Sequence, residues 1–212
     1  MSKTIKVKLE LMEAMLGTSP NNEEIYSDFV ASKAPDAATR EQEIEALGAD
    51  GYVEKGLTVF PRDEYGNPIL WDYQIKGFFK DTCSALSRLS KRSETGKKTA
   101  TNESGKMTAF KKIIDGLIFP QPRMIPITIP DGTEITYCQR PLRAQTPKGE
   151  RIGLAISEEV PAGSTMEFSI LCLDDDHVPA VLEWLDYGQL RGLGQWRNSG
   201  KGRFRYIIEG VE

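Results

Sequence analysis

One histidine, His177, and three cysteines are all that this 212-residue sequence offers for imidazole, thiol or soft-metal chemistry. Cys83, Cys138 and Cys172 are odd in number, far apart and in no C-x-x-C pair. That argues against a disulfide framework or a structural zinc site and makes a reducing interior the expectation. No apolar run reaches the roughly eighteen residues of a membrane span, and "MSKTIKVKLEL" lacks the uninterrupted apolar stretch of a secretory signal. The patterns G-x-x-x-x-G-K-[ST], H-E-x-x-H and G-x-S-x-G are also missing. Phosphate-loop, zincin and serine-hydrolase chemistries therefore have no motif to rest on.

What is present reads as globular: 39% hydrophobic and 27% charged residues, in a chain long enough for one sizeable core. A net charge of −4 argues against coating nucleic acid through global charge, but its distribution is uneven. Asn21 to Glu54 carries nine acids against Lys33 and Arg40, whereas Lys76 to Lys112 carries ten bases against Asp81, Glu94 and Glu103. The two stretches differ in sign by about seven charges each way, the asymmetry of a chain with charged partners or of two solvated faces.

Periodicity gives an element order. "TIKVKLELM" alternates as a half-buried strand, and "EEIYSDFVAS" and "DAATREQEIEALG" follow as short helices. Ile75, Phe79, Thr82, Cys83, Leu86 and Leu89 recur at helical spacing behind Asp72, a candidate N-cap. "SKRSETGKKTATNESGK" has no core-facing period and is expected to be a mobile loop. A short helix is expected around Phe110 to Leu117. "PDGT" (Pro130 to Thr133) is expected to turn a hairpin between "MIPITI" and "EITYC", with Pro126 confining the first strand to an edge. "STMEFSILCL" is a strand, "DDDHVPAVLEWLDYG" a helix expected to end at Gly188, and "GRFRYIIE" a closing strand. The order predicts an α+β protein with a ferredoxin-like (RRM-like) β-α-β-β-α-β core. The expected organisation is one domain over 1–212, with insertions at about 20–66 (acidic, partly helical), 90–106 (basic loop) and 118–160 (a β-hairpin).

"GLGQWRNSGKGRF" (Gly192 to Phe204) is the most informative stretch. Gly192, Gly194, Gly200 and Gly202 permit positive φ and close backbone approach, and consecutive amides in such a loop make an anion-binding concavity. Arg191, Arg197, Lys201, Arg203 and Arg205 surround it with positive charge, and Trp196 offers a ring on which a base would stack. A helix packed tightly against a strand is the plainer explanation of the same glycines.

The G-h-G-x5-G-x-G spacing resembles the C-terminal glycine-rich loop of the RAMP superfamily, the RNA-handling subunits of CRISPR systems. Three further segments resemble that family in the same order. "TIKVKLELMEAMLGTSP" is similar to its first strand and turn. "PILWDYQIKGFFKDTCSALSRL" is similar to its first-helix segment, with Gln74, Ile75, Lys76 and Gly77 on the core of that motif. "EEVPAGSTMEFSILCL", with the helix after it, is similar to the stretch before the glycine loop. About half of the chain is covered, and the single-domain backbone subunits that line guide RNA in type III complexes fit best. The resemblance implies a cytoplasmic subunit of an antiviral defence complex that binds single-stranded RNA beside other copies of itself or related subunits. It places Lys76 and Gly77 at the guide backbone with Gly192, Gly194, Gly200 and Gly202 nearby. Lys80, Trp196, Arg197, Lys201 and Arg203 join them as RNA-binding candidates through their charge or ring. "QRPLRAQTPKGER" would belong to a thumb-like hairpin, with Arg140 and Arg143 as cations.

Some members of that superfamily cut RNA. The candidates here are His177, whose imidazole titrates near neutrality, and the acids Glu23 and Asp28. A helix-start role explains all three equally well. No cofactor is expected, and a divalent metal would enter only with cleavage. The rival readings are an endoribonuclease and a mobile-element protein that mimics or blocks a defence complex through the acidic stretch.

Overall fold

Ile5, Val7, Leu9 and Leu11, the apolar side of the first alternating stretch, are all buried along β1 (Lys3–Leu11). A computed structural model describes residues 1–21, 57–92, 98–146 and 149–212. The two helices expected between Glu23 and Gly48 lie outside these residues. After β1 come β2 (Met15–Leu16), β3 (Ser19–Pro20), β4 (Leu57–Val59), β5 (Ile69–Trp71) and helix α1 (Asp72–Leu86). The ribbon β6 (Ser90–Arg92) and β7 (Lys98–Ala100) precedes helices α2 (Glu103–Lys106) and α3 (Phe110–Leu117). Then follow β8 (Ile118–Gln121), β9 (Met124–Pro126), β10 (Thr136–Thr146), β11 (Gly149–Val160) and β12 (Thr165–Cys172). Helix α4 (Val178–Arg191) and β13 (Phe204–Val211) come last. The fold is mixed α+β.

The chain divides into two compact units. One comprises Met1–Met15, Pro61–Thr133 and Pro161–Glu212. Its four-stranded sheet has the order β13-β1-β12-β8, and every neighbouring pair is antiparallel. Helix α1 buries Ile75, Phe79, Thr82, Cys83 and Leu86 of the predicted stripe and Phe78 besides, whereas Leu89 lies beyond its end and is exposed. Phe79 lies 5.3 Å from the Trp184 ring of α4, and Phe78 meets Phe204 of β13 edge-on at 5.9 Å. Trp184 is completely buried, a residue type that dominates core energetics when its N–H finds an acceptor.

That acceptor lies in a segment whose sequence has no core-facing period. The Trp184 indole N–H donates to Ser104 Oγ at 2.9 Å, and Ser104 donates in turn to Glu183 Oε2 from both its hydroxyl (2.7 Å) and its amide (2.9 Å). Asn102 caps α2 by accepting from the Gly105 amide. In the described part of 90–106 the expected mobile loop is corrected to a segment that forms β6, β7 and α2. A few polar residues anchor it, through contacts that periodicity cannot reveal.

Three further expectations are corrected. Gly188 lies inside α4 and does not end it; the cap is Gly192, and Gly188 is a glycine because a Cβ there would stand 2.5 Å from Phe78 Cζ and closer still to Phe204. Asp72 is the first helical residue of α1 and follows the N-cap Trp71, whose amide donates to Gln74 Oε1 at 2.7 Å. Pro130 to Thr133 does turn, but its flanking strands pair elsewhere, β9 with β5 and β10 with β11. With Pro126 at its end, β9 stays in a two-stranded sheet, as expected of a strand lacking one donor.

The second unit comprises Leu16–Phe60 and Glu134–Val160. Its main feature is the hairpin of β10 and β11, paired from Thr136↔Glu159 to Thr146↔Gly149. β4 extends it in parallel and β3 lies beyond. Polar groups fill part of its interior. Arg140 is buried and donates to Ser157 Oγ at 3.0 Å, Ser157 shares a 2.6 Å hydrogen bond with Thr58, and Glu158 accepts from the Phe60 amide at 2.8 Å.

Candidate nucleic-acid interface

The glycine loop joins α4 to β13, and the chain must reverse there within a few residues. Gly192 and Gly202 have φ of +77° and +72°. The Leu193 amide donates to Gly202 O at 2.9 Å, and the Gly202 amide donates to Ala14 O at 2.9 Å. A Cβ on Gly192 would stand 2.5 Å from Lys201 O, and one on Gly202 would overlap the Leu193 carbonyl. Two backbone strands therefore press together where side chains are missing. The Gly192 and Gly200 amides are likewise committed, to Gly188 O and Arg197 O. Of the four glycines, only Gly194 has an amide with no acceptor among the described residues. These glycines let the loop fold on itself, and three of their four amides are taken up within the protein rather than left open to an anion.

Side-chain charge remains. Asp81 of α1 accepts from two guanidiniums on one oxygen, Arg191 Nε at 3.2 Å and Arg197 at 2.9 Å, and Arg191 also donates to Asn198 Oδ1 at 2.9 Å. Two cations share one carboxylate. Lys201 is half-buried nearby in sequence, and Arg203 is exposed with no carboxylate partner among the described residues. Trp196 is 44% exposed and holds a left-handed φ of +52°, uncommon for a residue with a side chain. Gly77 lies four residues before Asp81, hence on the same face of α1, and the space above it is open. Asp81 was not among the residues picked from sequence, although its i+4 relation to Gly77 is visible there.

The lysines of α1 are engaged elsewhere. Lys76 donates to Asp115 O at 3.0 Å and sits 4.2 Å from the centre of the Phe119 ring; burial lowers its pKa below the ordinary lysine value. Lys80 pairs with the Asp115 carboxylate at 2.5 Å. Both lysines are tied to the α3–β8 side of the helix, whereas the loop arginines are tied to Asp81. Arg140 is buried in the second unit, and the backbone of Arg143 lies in β10 opposite Ile152.

Arg205 leaves the loop cluster altogether. It faces Glu10 across the β1–β13 pair and grips both carboxylate oxygens at 2.8 Å. On the same side of β1, Lys8 pairs with Glu167 at 2.6 Å and Lys6 with Glu212 at 2.6 Å. The open side of β1 and β12 carries Lys6, Lys8, Glu10, Glu167 and Ser169, not the aromatic platform by which RRM sheets stack bases.

His177 precedes a 14-residue α4, which places it about 20 Å from the glycine loop at the other end of the helix. Among the described residues, Asp174, Asp175 and Asp176 bring carboxylates within 4.8 Å of one another, but Asp175 is already paired with the Met1 amino group at 3.0 Å. Glu23 and Asp28 lie outside the described residues. No described helix is long and apolar enough to cross a membrane.

No protein-family model and no curated protein matches the chain. Solved structures do match. One is a chain in a cryo-EM structure of type III-B Cmr-beta bound to cognate target RNA, at a TM-score of 0.51 and 10% identity. The match covers 100% of this chain and 60% of that one, so this chain spans about three fifths of its neighbour's length. At this identity the likeness is one of fold.

Proposed function

We propose that the protein is an RNA-binding, RAMP-like subunit of the CRISPR backbone type, contacting the sugar-phosphate chain of a guide RNA. The carrying observation is the cluster at the end of α4, where Arg191 and Arg197 share the single carboxylate of Asp81, with the exposed Arg203 further along the same loop. An under-neutralised group of guanidiniums on a tight loop suits phosphate oxygens, which accept from their fixed fork of donors. Two further observations support the reading. The sheet order β13-β1-β12-β8, with α1 after β1 and α4 after β12, is compatible with a ferredoxin-like core. The full-length fold match is to a chain of an RNA-bound type III-B structure.

In this reading Arg191, Arg197, Lys201 and Arg203 hold phosphates, Trp196 lies against a sugar or base, and Gly77 leaves room for the strand along α1. The β10–β11 hairpin with Arg143 is the thumb. The protein works in the cytoplasm with other copies or related subunits, and binding requires no cofactor. Binding of single-stranded RNA measured against salt tests it. Affinity falls steeply as salt rises, by a log–log slope of about −0.7 per phosphate held. Arg203→Ala flattens that slope by about 0.7, while Lys6→Ala leaves it unchanged. A wild-type protein that retains no RNA at low salt refutes the reading.

A further inference from the structure

A second feature of the first unit lies at the start of α1. The side chains around it are Trp71, Asp72, Tyr73, Phe119, Gln121 and Arg123. Trp71 and Tyr73 are stacked at 6.3 Å with planes 13° apart, and the Arg123 guanidinium lies 5.8 Å from the centre of the Trp71 ring. Tyr73 is 52% exposed. Beside this stack is an open groove of about 720 Å³, lined by Asp72, Phe119, Gln121 and Arg123 among others. Its volume is within the range of small-ligand sites. Lys76 lies on the Phe119 ring at 4.2 Å, so a second cation stands at the wall.

We propose that this groove and its aromatic stack take an unstacked base of single-stranded RNA, an inference that rests on the RNA-binding reading and assigns residues outside the glycine loop. Each part has a physical role. A half-exposed tyrosine whose inner side is held by a tryptophan is a preformed ring surface, and every base has a face to lay on one. Arg123 and Lys76 supply positive charge for the phosphates on either side of that base. The Asp72 carboxylate accepts from base N–H groups, and the Gln121 amide both donates and accepts. A ligand of phosphate alone would leave the rings and the carboxylate unexplained. A purely apolar ligand would make no use of the Arg123 charge or of the Asp72 oxygen left over from its bond to the Tyr73 amide.

The test compares a short labelled oligoadenylate with an abasic oligomer of equal length, on wild type and on Tyr73→Ala, Tyr73→Phe and Arg123→Gln. Wild type is expected to bind the base-bearing strand more tightly. Tyr73→Ala should weaken that strand about tenfold and leave the abasic strand unchanged, and Tyr73→Phe should restore binding. Arg123→Gln should weaken both strands. Equal binding of oligoadenylate by wild type and Tyr73→Ala overturns this inference and leaves the RNA-binding reading standing. Failure of wild type to bind either strand overturns both. A thermal melt of each variant separates lost binding from lost fold, and Tyr73→Phe and Arg123→Gln keep the test decisive if Tyr73→Ala unfolds.

Discussion

The open side of the β1 sheet and the loop at the end of α4 both carry several cations, yet they differ in how those cations are matched. On the sheet, Lys6, Lys8 and Arg205 each meet a carboxylate of their own, Glu212, Glu167 and Glu10. At the loop, Arg191 and Arg197 draw on Asp81 alone. Both regions are rich in basic residues, whereas counting partners makes one neutral and the other positive. Local potential, and with it attraction for a polyanion, follows the second count.

The largest effect that would break this contrast is structural. Gly202→Ala must place a Cβ onto the Leu193 carbonyl at a φ of +72°, so the loop that gathers the cations cannot close. Strain of this kind costs about 1–3 kcal/mol before the clash is added, and chemical denaturation should show a loss of about 3 kcal/mol or more. Gly188→Ala comes next. Wedging a methyl between Phe78 and Phe204 overpacks the core and should cost about 1–3 kcal/mol, read as a lower melting temperature. An unchanged melting temperature would mean that the two rings can part.

A charge change sharpens the contrast at smaller amplitude. Asp81→Asn removes the shared carboxylate and should tighten RNA binding about fivefold, the effect of one unit charge about 4 Å from a phosphate in water. Glu167→Gln on the sheet should leave affinity alone. Equal responses would erase the distinction between the two surfaces. The smallest effect is chemical. Burial raises the Cys83 thiol pKa and pushes that of Cys172 up to about 11, while Cys138 is only half-buried. A maleimide at neutral pH should label Cys138 first, with Cys83 and Cys172 reacting only on unfolding.

Much of the framework was legible in the chain. β1, β12 and β13 follow from alternation, α1 and α4 from helical spacing, and the pairing of β10 with β11 lies within a segment read as a hairpin. These are local patterns, set by which side chains point the same way along one element. The glycine loop was legible as a place of close approach, but what approaches is its own backbone, which the spacing of glycines alone does not disclose. Gly188 looked like a helix end because glycine often is one. Its neighbours Phe78 and Phe204 come from distant parts of the chain. The candidate cluster was half legible. Arg191 and Arg197 stand within one short stretch, whereas Asp81, their shared counter-charge, comes from another helix.

The amino-acid sequence by itself determined the main strands and helices, their order and the tight turn after α4, because periodicity and glycine act through near neighbours along the backbone. Which cations keep their charge unopposed was decided only by the tertiary structure. Lys8 and Glu167, Glu10 and Arg205, and Asp81 and Arg191 are far apart in sequence and meet through strand register and helix packing. Electrostatic attraction falls with distance in space, so the effective charge of a surface exists only once the fold has chosen the neighbours.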